Sequence, residues 1–251
     1  MLALGACGSG NAAGDTPTLT LYNAQHEDLV TAMVDAFTAQ SGIEVEIRSG
    51  ADFELANQIS QEGEASPADV FVTENSPAMS LVDAAGLFAP IDADTLAQVP
   101  DVYESSDGAW LGFAARATTL VYNPSIVAEA DLPASIMDLA DPRWEGRIGI
   151  AAAGADFQAI VSAVLELEGA EATADWLAAL KQNALIYPSN IAVMAAANVG
   201  QIQAGIMYHY YWYQDQAESG EQSDNTELKY FGNQDPGAFV SVSGAGVLAS
   251  S

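Results

Sequence analysis

The sequence predicts an α/β fold of two lobes, each a mostly parallel sheet flanked by helices, with two extended segments crossing between them as a hinge. Three observations predict it. Strand, loop and helix patterns alternate from residue 18 to residue 85. One of those strands, Ala68 to Val72, is an almost continuous apolar run, as in a parallel strand covered on both faces. The pattern then changes at Trp110 to Asn123 and again near the end, where long extended runs place crossings near residues 116–118 and 238–241.

Taken in order, Thr18 to Tyr22 alternates and reads as the first strand, followed by a loop, Asn23 to His26. Leu29, Met33, Val34 and Phe37 recur at helical spacing and stop at Ser41-Gly42. Ile43 to Ile47 is a second strand, residues 52–63 a second helix, and residues 77–85 a third that Gly86 ends. Pro124 opens a second set, with short helices near 125–130 and 135–140, a strand at Arg147 to Ala151, and helices at 156–168 and 172–182. Asn190 is expected to cap a helix at 191–198, and another helix is expected to start at Tyr213. Strands at Lys229 to Phe231 and Ala238 to Leu248 follow. The lobes are expected at residues 18–116 with 241–251, and at 117–240. A strand ending so close to Ser251 lacks a covering element, so a further helical part is expected.

Charge narrows the partners. Against 34 acidic residues stand six basic ones, a formal net charge of -28 in 251 residues. Arg48, Arg116, Arg143, Arg147, Lys181 and Lys229 are too scattered to form a basic patch, so nucleic acid and anionic membrane surfaces are excluded as partners. The single cysteine, Cys7, permits no internal disulfide. It sits in Leu4-Gly5-Ala6-Cys7-Gly8-Ser9, which resembles a bacterial lipobox, with Gly8 to Pro17 as a small, polar tether. Residues 1–17 therefore read as a clipped lipoprotein signal and tether, with membrane contact only through a lipid on Cys7.

Ile206-Met207-Tyr208-His209-Tyr210-Tyr211-Trp212-Tyr213 concentrates five aromatics and a histidine in eight residues. Core packing alone favours Val, Ile and Leu, since each buried phenol needs a hydrogen-bond partner. The run either stacks a ligand or binds a metal. His26 and Glu74 both fall just past the carboxyl end of a strand, where such sheets form their ligand crevice. The simplest alternatives are that His26 caps the first helix and that Glu74 is held by a helix dipole. His209, between neighbours that alternate, is expected to face away from the cleft.

If His26, Glu74, Tyr210 and Tyr211 converge, they supply hard oxygen donors and one imidazole. A phenol with an ordinary pKa near ~10 ionises at neutral pH only against a strong Lewis acid. Two phenolates and a carboxylate match the charge of a trivalent ion, leaving coordination positions for water or a small anion. Zinc and copper sites would draw on more histidines or thiolates, and no calcium loop is present. A carbohydrate- or polyamine-binding protein would also use aromatics and acids and is the alternative reading. No nucleophile elbow or His-Glu-x-x-His helix is found, so an enzyme is not expected.

Several segments together resemble the periplasmic ferric-ion-binding proteins of bacterial ABC importers. They are Leu21-Tyr22-Asn23-Ala24-Gln25-His26, Pro67 to Glu74, Pro142-Arg143-Trp144-Glu145-Gly146-Arg147, Tyr210 to Tyr213 and Gln234-Asp235-Pro236-Gly237-Ala238. The resemblance implies a two-lobed, type II-like periplasmic-binding-protein clamp that captures Fe(III), as free ion or chelate, and delivers it to a membrane permease. It implies a monomer outside the cytoplasm, periplasmic or lipid-anchored to the outer face of the cytoplasmic membrane. The family's ligands fall on His26, Glu74, Tyr210 and Tyr211. Its synergistic anion, phosphate or carbonate, is held by a small-residue turn, matched here by Gly154-Ala155-Asp156, and by two asparagines, of which Asn190 matches one and Tyr208 replaces the other. A carboxylate at Asp156 disfavours phosphate unless it turns away to cap its helix, which leaves carbonate held with help from Arg116, or a third phenolate from Tyr208.

Overall fold

The computed structural model describes residues 17–232 and 234–251. The Cys7 leader lies outside the described residues. A single sheet of order β2-β1-β3-β9-β4-β7-β5-β6 runs through the molecule, with β8 beside β4.

The first half is built from β1 (Thr18–Asn23), α1 (Glu27–Ser41), β2 (Glu44–Ser49), α2 (Asp52–Glu62), β3 (Val70–Val72), α3 (Ser76–Ala84) and the single turn α4 (Ala93–Leu96). Gly42, at φ 74°, closes α1 in the left-handed conformation that glycine adopts without a Cβ penalty. β1 pairs parallel with both β2 and β3, as the strand–helix–strand alternation requires. Tyr22, Leu55, Ile59, Phe71, Met79 and Trp110 form the core beneath it.

β4 (Leu111–Tyr122) is one 12-residue strand where two consecutive runs were expected; its register shifts between Gly112 and Ala114. Its first part pairs antiparallel with β9, and its last residues pair with β7 and β8. It is thus the strand that passes from one half of the sheet to the other. β9 (Val240–Val247) runs beside it and pairs antiparallel with β3. Within each half the pairing is parallel; the antiparallel pairs involve these two crossing strands.

The second half comprises β5 (Ile148–Ile150), α5 (Ala155–Asn183), β6 (Ala184–Ile186), α6 (Asn190–Asn198), β7 (Ala204–Tyr208), α7 (His209–Glu218) and β8 (Glu227–Lys229). Gly169, at φ 82°, breaks α5 into the two helical stretches expected there. The segments near 125–130 and 135–140 are only 3-10 turns, Glu129–Asp131 and Ile136–Ala140, because Pro124, Pro133 and Pro142 leave no room for a longer helix. Leu120, Ile136, Leu139, Ile148, Ile160, Trp176 and Ile206 pack as a second core.

Two local expectations are corrected. Ser189, not Asn190, caps α6: its side chain accepts from Ala192 N–H, which frees the Asn190 amide. The strand β7 ends at Tyr208 and α7 begins at His209, four residues before the expected start, because the aromatic run carries no Gly or Pro to delay the helix.

Candidate metal centre

His26 stands at the N-cap position of α1 but makes no side-chain cap bond. Its loop is held from behind instead. Gln25 N–H donates to Asn23 Oδ1 (2.9 Å), Asn23 Nδ2 donates to the Gln25 carbonyl (3.0 Å), and His26 N–H donates to Gln25 Oε1 (2.8 Å). The imidazole is left exposed at the mouth of the cleft. Glu74 follows β3, its backbone N–H held by Asp52 Oδ1 at 2.9 Å. Both residues lie at carboxyl ends of parallel strands, the region expected to hold the ligand crevice.

From the other half, the start of α7 projects Tyr210 and Tyr211 on consecutive residues. Their rings lie 4.0 Å apart, centroid to centroid. Tyr210 Oη donates to Glu74 Oε1 at 3.3 Å and lies 3.1 Å from His26 Nε2, which is itself 3.3 Å from Glu74 Oε1. Three of the four expected ligands therefore meet at one point. Tyr211 stacks beside Tyr210 but turns its hydroxyl to Asp156 Oδ2, at 3.0 Å. His209 points elsewhere, accepting from Ala117 N–H through Nδ1 at 3.1 Å, and burial pushes its pKa down. It faces away as expected, but through the turn of a helix rather than the alternation of a strand.

The other expected residues occupy different roles. Arg116, on β4, is buried and donates to Glu74 Oε1 at 2.5 Å and to Ser243 Oγ at 2.8 Å, with its guanidinium over the Tyr210 ring. Gly154 is the N-cap residue of α5 and Ala155 its first residue. Between them and the phenols sits the carboxylate of Asp156, which accepts from Asn190 Nδ2 (2.7 Å), Tyr211 (3.0 Å) and Asn75 Nδ2 (3.3 Å). It does not turn away to cap its helix. Tyr208 is fully buried, and its hydroxyl donates to Asn75 Oδ1 at 3.2 Å rather than to the group around Glu74.

The electrostatics follow from burial and pairing. Burial pushes Asp156 up to about 6, helped by the Glu74 charge and opposed by Arg116. Burial would raise Glu74 too, but the His26 hydrogen bond and the Arg116 charge outweigh it and hold the carboxylate below its usual range. His26 is raised, chiefly by its hydrogen bond to Glu74. Burial and the Asp156 charge drive both Tyr210 and Tyr211 far upward, so each phenol keeps its proton unless a strong cation replaces it. The start of a ten-residue helix supplies partial positive charge to whatever negative charge develops there. Among the described residues no three His, Cys, Asp or Glu gather as a candidate metal site; the group here combines one imidazole and one carboxylate with the Tyr210 phenol.

A cavity of about 440 Å³, lined by Asn23, Gln25, His26, Ser49, Gly50 and Glu74, opens beside the group. Among the described residues no helix is long and apolar enough to cross a membrane.

Asp156 and Asn75 are the members of the site that sequence reasoning left out. Asp156 entered it only as an obstacle to phosphate. Asn75 follows Glu74 directly, and nothing in its local sequence marks it as more than a helix cap.

Comparison with known proteins shows what the whole chain resembles. The chain is 57% identical, over 251 residues covering 100% of it and 73% of the relative, to the Fe(3+)-binding periplasmic protein of Serratia marcescens. It is 37% identical, over 94% of its length and 73% of the relative's, to the major ferric iron-binding protein of Neisseria meningitidis. The crystal structure of iron-bound HitA from Pseudomonas aeruginosa superposes with a TM-score of 0.85 at 46% identity, covering 94% of this chain and 76% of that one. The profile of the family described as bacterial extracellular solute-binding protein matches residues 65–251. The chain belongs to that family, the bacterial extracellular solute-binding proteins.

Proposed function

We propose that this protein captures Fe(III) as cargo in the cleft between the halves of its sheet and passes it to the permease of an ABC-type importer. The observation that carries the reading is the meeting of His26, Glu74 and Tyr210 within 3.1–3.3 Å of one another, with Tyr211 stacked alongside. We assign these four residues as the metal ligands. The ferric names of the relatives support the same cargo.

The geometry favours a built-in anion. The Asp156 carboxylate, hydrogen-bonded to Tyr211 and Asn190, supplies the negative oxygens that an exogenous carbonate or phosphate would bring. Two phenolates, Glu74 and Asp156 carry four negative charges, and the buried Arg116 offsets one, leaving the three that a ferric ion needs. Gly154, Ala155 and Asn190 then shape the pocket for Asp156 rather than for a free anion, and Tyr208 serves as a buried support.

Lobes at residues 18–116 with 241–251 and at 117–240, hinged on β4 and β9, would bring these ligands together on closure. A lipid on Cys7 would tether a monomer outside the cytoplasm. The test is titration of purified protein with ferric citrate, with the visible spectrum recorded. A phenolate-to-iron band saturating at one equivalent is expected; a colourless protein at saturation rejects the assignment.

A further inference from the structure

Asn75 is 1% exposed, and every hydrogen-bonding group of its side chain is used. Nδ2 donates to Asp52 Oδ2 at 3.0 Å and to Asp156 Oδ1 at 3.3 Å; Oδ1 accepts from Ser241 Oγ at 2.8 Å and from Tyr208 Oη at 3.2 Å. Two donors and two lone pairs exhaust what a carboxamide offers. The surroundings also dictate which way it points, since carboxylates flank one end and hydroxyls the other.

The four partners come from four elements. Asp52 opens α2 in the same half of the sheet as Asn75, whereas Asp156 on α5 and Tyr208 on β7 belong to the opposite half. Ser241 lies on the crossing strand β9. Asp52 also accepts from the backbone N–H of Glu74, so it anchors both residues of the Glu74-Asn75 pair. Any movement that parts α5 and β7 from the loop after β3 breaks the bonds to Asp156 and Tyr208 and leaves the bond to Asp52 intact. That asymmetry is what a latch requires: one side fixed, the other made or broken with the motion.

We infer that Asn75 is the latch of the closed cleft, a positioning residue that holds the Asp156 carboxylate and the half carrying the phenols against Glu74, and so governs how fast a bound ion leaves. The inference rests on the ferric-binding reading above, but the Asn75 side chain bonds to none of the four proposed ligands, only to Asp156 beside them.

The test compares wild type with Asn75→Ala and Asn75→Asp. Three quantities are read: the rate of iron loss to a competing chelator by stopped flow, the position of the visible band, and the radius of gyration of the iron-free protein. Asn75→Ala is expected to lose iron at least ~10-fold faster, the scale of two lost buried hydrogen bonds. Its band should not move, because neither Tyr210 nor Tyr211, the proposed phenolate ligands, bonds to Asn75. Its iron-free form should be more expanded than wild type, which a merely structural role would not produce. Asn75→Asp, which sets a third carboxylate against Asp52 and Asp156, should go further in the same direction. An unchanged release rate with an unchanged radius overturns the latch. Should the Asn75 variants fail to fold, Tyr208→Phe removes one bond from the opposite side and keeps the ring; unaltered release in that variant also overturns it. Absence of any band in wild type would instead reject the ferric reading, with the radius of gyration still judging the latch.

Discussion

The buried Arg116 guanidinium and the partly buried Glu74 carboxylate form an ion pair at 2.5 Å, on the same Oε1 that His26 and Tyr210 approach. The positive charge that steadies Glu74 therefore comes from β4, the strand joining the two halves. Arg116→Met leaves that carboxylate with only His26 and the Tyr210 hydroxyl as side-chain partners. We expect iron-free Arg116→Met to lose about 3 kcal/mol of stability, the usual scale for breaking a buried pair. Bound iron would take over the neutralising role, so the loss should shrink in the ferric form. Equal losses with and without iron, by denaturant titration, would contradict this.

The Tyr211 ring packs against that of Tyr210, and its hydroxyl engages Asp156. Tyr211→Phe preserves the 4.0 Å ring stack but removes a donor. Most of the visible absorption should vanish, and iron affinity should drop by more than the ~10–100-fold typical of losing an outer-sphere partner. A spectrum identical to wild type would count against Tyr211 as a ligand.

If the Asp156 carboxylate, held by Asn190 and Tyr211, replaces the anion as proposed, wild-type affinity should be indifferent to bicarbonate and phosphate. Asp156→Ala should bind iron at least ~100-fold more weakly and recover part of that loss when bicarbonate is added. Equilibrium dialysis with and without bicarbonate decides it; a wild type that needs the anion would overturn the built-in carboxylate.

Burial pushes Asp52 up to about 7 despite hydrogen bonds from Asn75 and the Glu74 backbone. A carboxyl whose folded pKa exceeds its unfolded value contributes stability that is full below about pH 4 and lost as pH rises through the folded value, by at most ~4 kcal/mol for such a shift. Asp156, raised to about 6, acts in the same direction. Glu74, held low, acts oppositely but only on acidification below the ordinary carboxylate range. Between pH 5 and pH 8 the iron-free protein should therefore lose stability on this account, and Asp52→Asn should lose less. Parallel profiles for the two proteins would refute the role of Asp52.

Tyr208 and the helix it precedes are aimed by β7, whose Gly205 sits against α6 and β5. A Cβ there would overlap Val193 Cγ1 and lie 3.1 Å from the Gly149 carbonyl. Gly205→Ala is expected to destabilise by ~1–3 kcal/mol, the cost of overpacking a close backbone contact. A thermal midpoint equal to wild type would show that the strand can shift without penalty.

Much of this was legible in the chain itself. The strands and helices of the first half announce themselves because hydrophobic periodicity is local and repeated, and Gly42 and Gly169 mark where helices close or break. The Tyr210-Tyr211 pair stood out because so many phenols in one run exceed what packing demands. Less legible was the start of α7. Aromatic residues fit strand and helix alike, so only the end of pairing between β7 and β4 at Tyr208 shows where the strand stops. The capping of α6 was misread for a similar reason: Ser189 and Asn190 are both good caps, and the amide of Asn190 was needed by Asp156, 34 residues away.

By itself, then, the sequence determined the element order, the strong net acidity, and the oxygen-rich donor types at His26, Glu74, Tyr210 and Tyr211. Residue type and short-range spacing are enough for that. Only the tertiary structure decided that Asp156 turns into the cleft, that Arg116 pairs with Glu74, and that Asn75 ties the halves together. Those directions depend on buried groups satisfying one another across long separations in the chain, and no local pattern records which partner each will find.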